Sequence, residues 1–308
     1  MTMVIRIGTR ASKLARAQTT WVVDRISAHH PGIRVEVITI TTQGDRIIDR
    51  PLSSFGGKGL FVKEIEEALH RKEIDVAVHS LKDMPAELPE TLYLGVIPER
   101  EDPYDVLLAK NGLTFKELPA GSSVGTSSLR RAAQLLHARR DLEITPLRGN
   151  LDTRIKKLAT TDMQAIVVAA AGLNRIGFKE RAAHYFPCEI LLPAIGQGAL
   201  GLELRRDDTK TQGILAFLDH DETRLTVEAE RSFLAELKAG CQLPVAGFAQ
   251  LEDGNLLLDG LVANLDGTTI IRDTIEGPAK TAQDLGIALA RRLLDAGART
   301  ILDEIYGY

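Results

Sequence analysis

The chain has 308 residues, 44% of them hydrophobic and 26% charged, with a formal net charge of −4. That length supplies cores for two or three domains, and the small negative charge argues against a general nucleic-acid binder. Two cysteines cannot build a disulfide framework, and the longest uncharged apolar stretch, Ala165–Leu173, is far short of the roughly 20 residues of a membrane span.

Alternation over Val4–Gly8 predicts a strand, and helical spacing over Ser12–His29 a helix. Arg34–Thr42 is β-branched and alternating, so a second strand follows. A Gly-rich loop at Gly56, Gly57 and Gly59 precedes a helix over Phe61–Arg71 and strands over Ile74–His79, Leu92–Pro98 and Val106–Ala109. After Pro119 the pattern restarts: strand Ser123–Thr126, helix Ser128–Arg140, strand Leu142–Leu147, short helix Asp152–Leu158. Ala165–Ala171 reads equally as a buried strand or the start of a helix, and Gly196–Leu204 as a strand-like return. Such alternation marks α/β layers. The last third differs. An amphipathic helix over Thr223–Leu237 leads to a turn at Gly240–Pro244 and three strands, Val245–Leu251, Leu256–Val262 and Thr269–Ile275, joined at Asp253-Gly254 and Asp266-Gly267. A closing helix over Ala282–Leu294 completes a small α+β domain.

Four constellations could carry chemistry. His79-Ser80-Leu81-Lys82-Asp83-Met84-Pro85 follows a buried strand, at the kind of edge where ligands gather in open α/β sheets; Lys82 and Asp83 there can bind an anion and move a proton, or form a solvated surface pair. Gly125-Thr126-Ser127-Ser128-Leu129-Arg130-Arg131 leads into a helix N-terminus, where two arginines oppose the dipole and call for an anion nearby. Leu147-Arg148-Gly149-Asn150-Leu151-Asp152-Thr153-Arg154 and Gly8-Thr9-Arg10-Ala11-Ser12-Lys13 add guanidiniums suited to gripping carboxylates. The fourth is Cys241 in Gly240-Cys241-Gln242-Leu243-Pro244, a loop thiol with no histidine nearby in sequence; Cys188 is a weaker candidate. On spacing alone, an inert Cys241 remains the simpler reading, and no metal-ligand spacing is present.

Taken together, these motifs, with Gly56-Gly57-Lys58-Gly59-Leu60-Phe61 and Pro193-Ala194-Ile195-Gly196-Gln197-Gly198, resemble the porphobilinogen deaminase family in order and along nearly the whole chain. The resemblance implies two doubly wound domains of the periplasmic-binding-protein kind with the active site in the cleft between them, plus a small C-terminal α+β domain with a three-stranded antiparallel sheet. The expected boundaries are 1–98 with 199–217, 99–198, and 218–308. It implies a monomeric cytoplasmic transferase of porphyrin (heme) biosynthesis that condenses four porphobilinogens, with loss of ammonia, on dipyrromethane, and then releases hydroxymethylbilane by hydrolysis. Dipyrromethane would be joined to Cys241 by a thioether; thiolate addition to an electrophilic azafulvene needs no partner histidine. Asp83 falls at the catalytic centre. The cofactor and substrate carboxylates fall to Arg10, Ser12, Lys82, Thr126, Ser128, Arg130, Arg131, Arg148, Gly149, Arg154 and Gln197, the elongating chain to Arg175, with Gln18 and Asp45 as further carry-overs. Lys58 and Phe61 lie on a loop expected to close over the site. The family often carries a lysine at the position of Ser54, so altered loop contacts with the growing chain are expected here. No nucleic acid, membrane or metal is implied.

Two other readings use some of the same residues. A two-domain binding protein for a small anion accounts for the arginines but not for the C-terminal domain or Cys241. A nucleic-acid binder using Arg130-Arg131 and Arg139-Arg140 conflicts with the net charge and with only 5% aromatic residues for stacking.

Overall fold

The computed structural model describes residues 3–46, 62–240 and 243–307. The chain forms two units, Met1–Glu101 with Ala199–Arg224, and Asp102–Gly198 with Leu225–Tyr308. The first contains β1 (Val4–Arg10), α1 (Lys13–His29), β2 (Arg34–Ile40), α2 (Gln43–Arg46), α3 (Lys63–His70), β3 (Val76–Ser80) and β4 (Leu92–Val96). The second begins with β5 (Asp105–Ala109), β6 (Ser123–Gly125), α4 (Leu129–Ala138), β7 (Glu143–Thr145), α5 (Leu151–Thr160), β8 (Ala165–Ala169), α6 (Ala170–Arg175) and β9 (His184–Tyr185). The chain then returns to the first unit with β10 (Leu200–Arg205) and α7 (Thr209–Leu215). Helix α8 (Asp221–Glu236) leads to β11 (Val245–Glu252), β12 (Asn255–Ala263), β13 (Ile270–Pro278), α9 (Ala282–Leu293) and α10 (Arg299–Tyr306).

Both five-stranded sheets follow one plan. The first has the order β2-β1-β3-β10-β4, with β1 parallel to β2 and β3, and β10 antiparallel to its neighbours. The second has the order β7-β6-β8-β5-β9, with β6 parallel to β7 and β8, and β5 antiparallel to its neighbours. In each, the three parallel strands end on the same edge, so the turns that follow them are brought together.

Each sheet is covered on both faces, so its central strands are buried along most of their length and the polar residues within them, such as His79 and Glu203, pair inside. Ile5, Ile7, Val76, Val78, Leu202 and Leu204 pack with Val22 and Ile26 of α1 on one face of the first sheet. Ala77 packs with Ile65, Ala68 and Leu69 of α3 on the other. In the second sheet, β8 is buried along its whole length. The ambiguity at Ala165–Ala171 resolves as both readings in succession, with the strand ending at Ala169 and α6 starting at Ala170.

The C-terminal strands form an antiparallel sheet in the order β11-β12-β13, as the hairpin turns predict. The expected closing helix does not close the chain. Past Leu293 a wide turn at Leu294–Ala298, with Gly297 at φ +110°, leads into α10. Short α7 and two-residue β9 had no periodicity long enough to read, although Asp208 caps α7 by accepting from Thr211 N at 3.0 Å. Among the described residues, no helix is long and apolar enough to cross a membrane.

The tip of the β12–β13 hairpin seats on the end of α4. Gly267 O accepts from Arg140 Nη2 at 2.8 Å and lies 2.9 Å from His137 Nδ1. Gly267 has φ +68°, and a Cβ there would stand 2.0 Å from Ala133 O. Gly267→Ala therefore meets both backbone strain and a clash, and is expected to cost about 2 kcal/mol or more, read as a lower urea midpoint.

Candidate functional site

At the edge of the first sheet, β3 ends at Ser80 and passes into a single 3-10 turn, Leu81–Asp83. Leu81 and Met84 are buried and anchor the turn; Lys82 is half-buried and Asp83 exposed. Leu81 N donates to Ala199 O at 3.1 Å, tying the turn to the start of β10. Gln18 of α1 is buried, and its Nε2 donates to Ser80 Oγ at 2.8 Å. Gln18, assigned to ligand by the family resemblance, holds the residue that enters the Lys82-Asp83 turn. Ser12 caps α1, its Oγ accepting from Ala15 N at 3.2 Å, and half-buried Arg10 ends β1 at the same edge.

Behind this turn lies a cluster that sequence reading did not single out. Gly201 pairs with His79 and Glu203 with Ala77 across β10 and β3, so His79 and Glu203 share the sheet face that α3 covers. His79 Nε2 donates to Glu203 Oε2 at 2.9 Å, and both side chains are buried. Burial first, then the charge of Glu203, holds the half-buried Glu66 of α3 above the ordinary carboxylate range, while His79 opposes the shift. The sequence signal was a glutamate inside the apolar run Leu200–Leu204, since a charged residue in a doubly covered strand needs a buried partner.

At the edge of the second sheet, the turns after β6 and β7 are joined through Ser127, whose Oγ donates to Leu147 O and accepts from Leu147 N, each at 3.0 Å. Ser128 caps α4, its Oγ accepting from Arg131 N at 3.4 Å, while Thr126 Oγ1 accepts from Ser128 N at 3.1 Å. Arg148 and Gly149 follow β7. Gly149 takes φ +108°, a Cβ there would lie 2.8 Å from Thr153 Cγ2, and its carbonyl accepts from Arg154 Nε at 2.8 Å. Arg175, on the helix after β8, donates from Nη2 to Gly198 O at 2.7 Å.

Arg130 and Arg131 are both buried, as is Asp105 at the start of β5. Arg130 Nη1 lies 2.8 Å from Asp105 Oδ2 and donates to Leu192 O at 2.6 Å. Arg131 reaches Asp105 Oδ1 through Nε at 3.0 Å and Nη2 at 2.7 Å, and donates from Nη1 to Val167 O at 3.0 Å. The anion that two arginines at a helix N-terminus demand is thus supplied first by the chain itself. Burial pulls the Arg130 guanidinium below its ordinary value, Asp105 pushes it back up and Arg131 adds to the depression. Gln197, expected among the binding residues, is fully buried; its Nε2 donates to Pro103 O at 2.7 Å and Asp105 Oδ1 at 3.0 Å. Buried Glu230 holds the adjoining backbone, accepting from Gly196 N at 2.6 Å and from Ala249 N of β11 at 2.9 Å. Asp105 was legible only as a carboxylate heading the apolar run Val106–Ala109.

The expectations placed on Ser54, Lys58, Phe61 and Cys241 lie outside the described residues, as does the side chain of Asp45.

Two family models match the chain: "Porphobilinogen deaminase, dipyromethane cofactor binding domain" over residues 5–213 and "Porphobilinogen deaminase, C-terminal domain" over residues 224–295. A porphobilinogen deaminase of Geobacter metallireducens is 51% identical over 302 residues, covering 98% of this chain and 95% of that protein. One of Syntrophobacter fumaroxidans is 51% identical over 303 residues, covering 98% of each. Among solved structures, the methionine-binding protein MetQ aligns with a TM-score of 0.45 at 14% identity, covering 70% of this chain and 89% of that one.

Removing the shared carboxylate tests the buried cluster. Asp105→Asn leaves two buried guanidiniums without their counter-charge, and is expected to destabilise the protein by about 3–5 kcal/mol in urea unfolding.

Proposed function

The chain belongs to the porphobilinogen deaminase family, and from that premise we propose that it joins four porphobilinogen molecules head to tail, with loss of ammonia, on dipyrromethane bonded to Cys241, then releases hydroxymethylbilane by hydrolysis. Its cofactor is dipyrromethane, the group named for the domain matched at residues 5–213.

The residues present fit that group. Each of its pyrroles carries an acetate and a propionate, so it asks for fixed cations. Arg130 and Arg131 with Asp105 set two positive charges against one negative in a buried setting, and the excess charge draws in an anion. That cluster, on the sheet edge that also carries Arg148, Arg154 and Arg175, is the observation that carries the reading. When bound, dipyrromethane supplies the free α-carbon on which growth begins.

The chain's own residues then divide the work. Arg130, Arg131, Arg148 and Arg154, with Thr126, Ser128 and the backbone at Gly149, hold ligand carboxylates, and Arg175 serves the elongating chain. Asp105 and Gln197 orient the two buried guanidiniums. Arg10, Ser12 and Lys82 bind carboxylates in the first unit, and Gln18 acts through Ser80. Asp45, Lys58 and Phe61 join them by family resemblance. Asp83 is the catalytic carboxylate: it protonates the departing amine, offsets the positive charge on the substrate pyrrole and takes up the proton released after carbon–carbon bond formation. The choice of Cys241 for attachment is supported by the state of the other cysteine. Burial first, then the charges of Asp259 and Glu189, pushes the Cys188 thiol up to about 11, which leaves little thiolate at neutral pH. The enzyme acts as a cytoplasmic monomer.

Asp83→Asn keeps the side-chain shape and removes the proton-transfer group. The variant is expected to fold and carry its cofactor but to lose roughly 10²–10⁴-fold in kcat. Retention of more than a tenth of the native rate would remove Asp83 from the catalytic role.

A further inference from the structure

The cluster behind the Lys82-Asp83 turn is absorbed by none of the roles above. His79, Glu203 and Glu66 come from β3, β10 and α3, three elements packed against one another. Burying an imidazole–carboxylate pair is costly unless its geometry is good, and here the contact is a 2.9 Å hydrogen bond with both side chains nearly free of solvent. Glu203 Oε1 and Glu66 Oε1 are also buried and have no hydrogen-bond partner among the described residues. The chain thus places two ionisable groups out of water, with a half-buried third beside them, at the strand end that leads into the catalytic turn.

We propose that His79, Glu203 and Glu66 are positioning residues for the condensation, a buried acid–base cluster that fixes the end of β3 and thereby sets where Lys82 and Asp83 stand. The inference rests on the assignment of Asp83 above. Ser80, next to His79, is held from α1 through Gln18, and Leu81 from Ala199, so the strand end is gripped from both sheet faces and from β10. Among the described residues, the charged side chains acting on Glu66 are Glu203 and His79. Ionising Glu66 therefore sets a second carboxylate against one imidazole and loosens the grip as pH rises. Because its folded-state value is raised, Glu66 favours the fold in its protonated form, and that contribution is lost as pH rises through the folded value.

The test uses cofactor-loaded Glu203→Gln, His79→Gln, the double variant and Glu66→Gln, with loading checked by intact mass. Glu203→Gln and His79→Gln are each expected to lower kcat for porphobilinogen at least about tenfold with KM changed less than about twofold, and the double variant to be no slower than the slower single. Glu66→Gln is expected to shift the pH profile of kcat. It also raises the thermal midpoint at neutral pH, a gain that vanishes below the usual carboxylate range. The proposal is overturned if the single-variant losses multiply in the double, or if the variants lose thermal stability while kcat and its pH profile stay native. If Glu203→Gln does not fold, Glu66→Gln decides alone, and a native pH profile of kcat rejects the cluster. Were Asp83→Asn fully active, the assignment of Asp83 would fail, whereas the thermal response of Glu66→Gln would still report on the cluster.

Discussion

Two guanidiniums taken out of water demand a counter-charge, and Asp105 supplies one carboxylate to both. One carboxylate for two cations is a deliberate shortfall. It lets Arg130 and Arg131 fold into the second unit at tolerable cost while leaving an attraction for anions. Much nearby is arranged around it: Gln197 donates to the same oxygen as Arg131, and Glu230 pins the backbone of Gly196 beside Gln197. A full neutralisation would leave no excess positive charge in that interior.

The wider frame is the sheet. In each unit, three parallel strands finish at one edge, and sequence segments far apart are delivered there. The first unit delivers Arg10 and the Lys82-Asp83 turn. The second delivers the arginines after β6, β7 and β8. A serine caps the first helix of each, Ser12 and Ser128, so the hydroxyl-rich motifs serve local helix geometry.

Sequence alone showed where most strands and long helices run, because β5 and β8 are nearly continuous apolar runs and helices such as α4 and α9 carry an apolar stripe. It missed α2, α7, β9 and α10, which are too short or too polar to show a period. At the candidate site, the arginines and Asp83 were legible as turn residues after strands. Their partners were not. Asp105 and Glu203 sit in apolar runs where local pattern marks a misfit without saying what it pairs with. Gln18 and Gln197, assigned to ligand only through the family resemblance, each donate to a protein oxygen, Ser80 Oγ and Asp105 Oδ1. Pairing across 62 or 92 residues is a property of topology rather than of any window of sequence.

The central claim is that this chain carries a dipyrrole primer on Cys241. Its most direct test is the intact mass of the denatured protein beside that of Cys241→Ser. The account predicts a mass excess of two linked pyrroles in the native sequence and none in the variant. A native protein that remains at its bare polypeptide mass after incubation with porphobilinogen would contradict it.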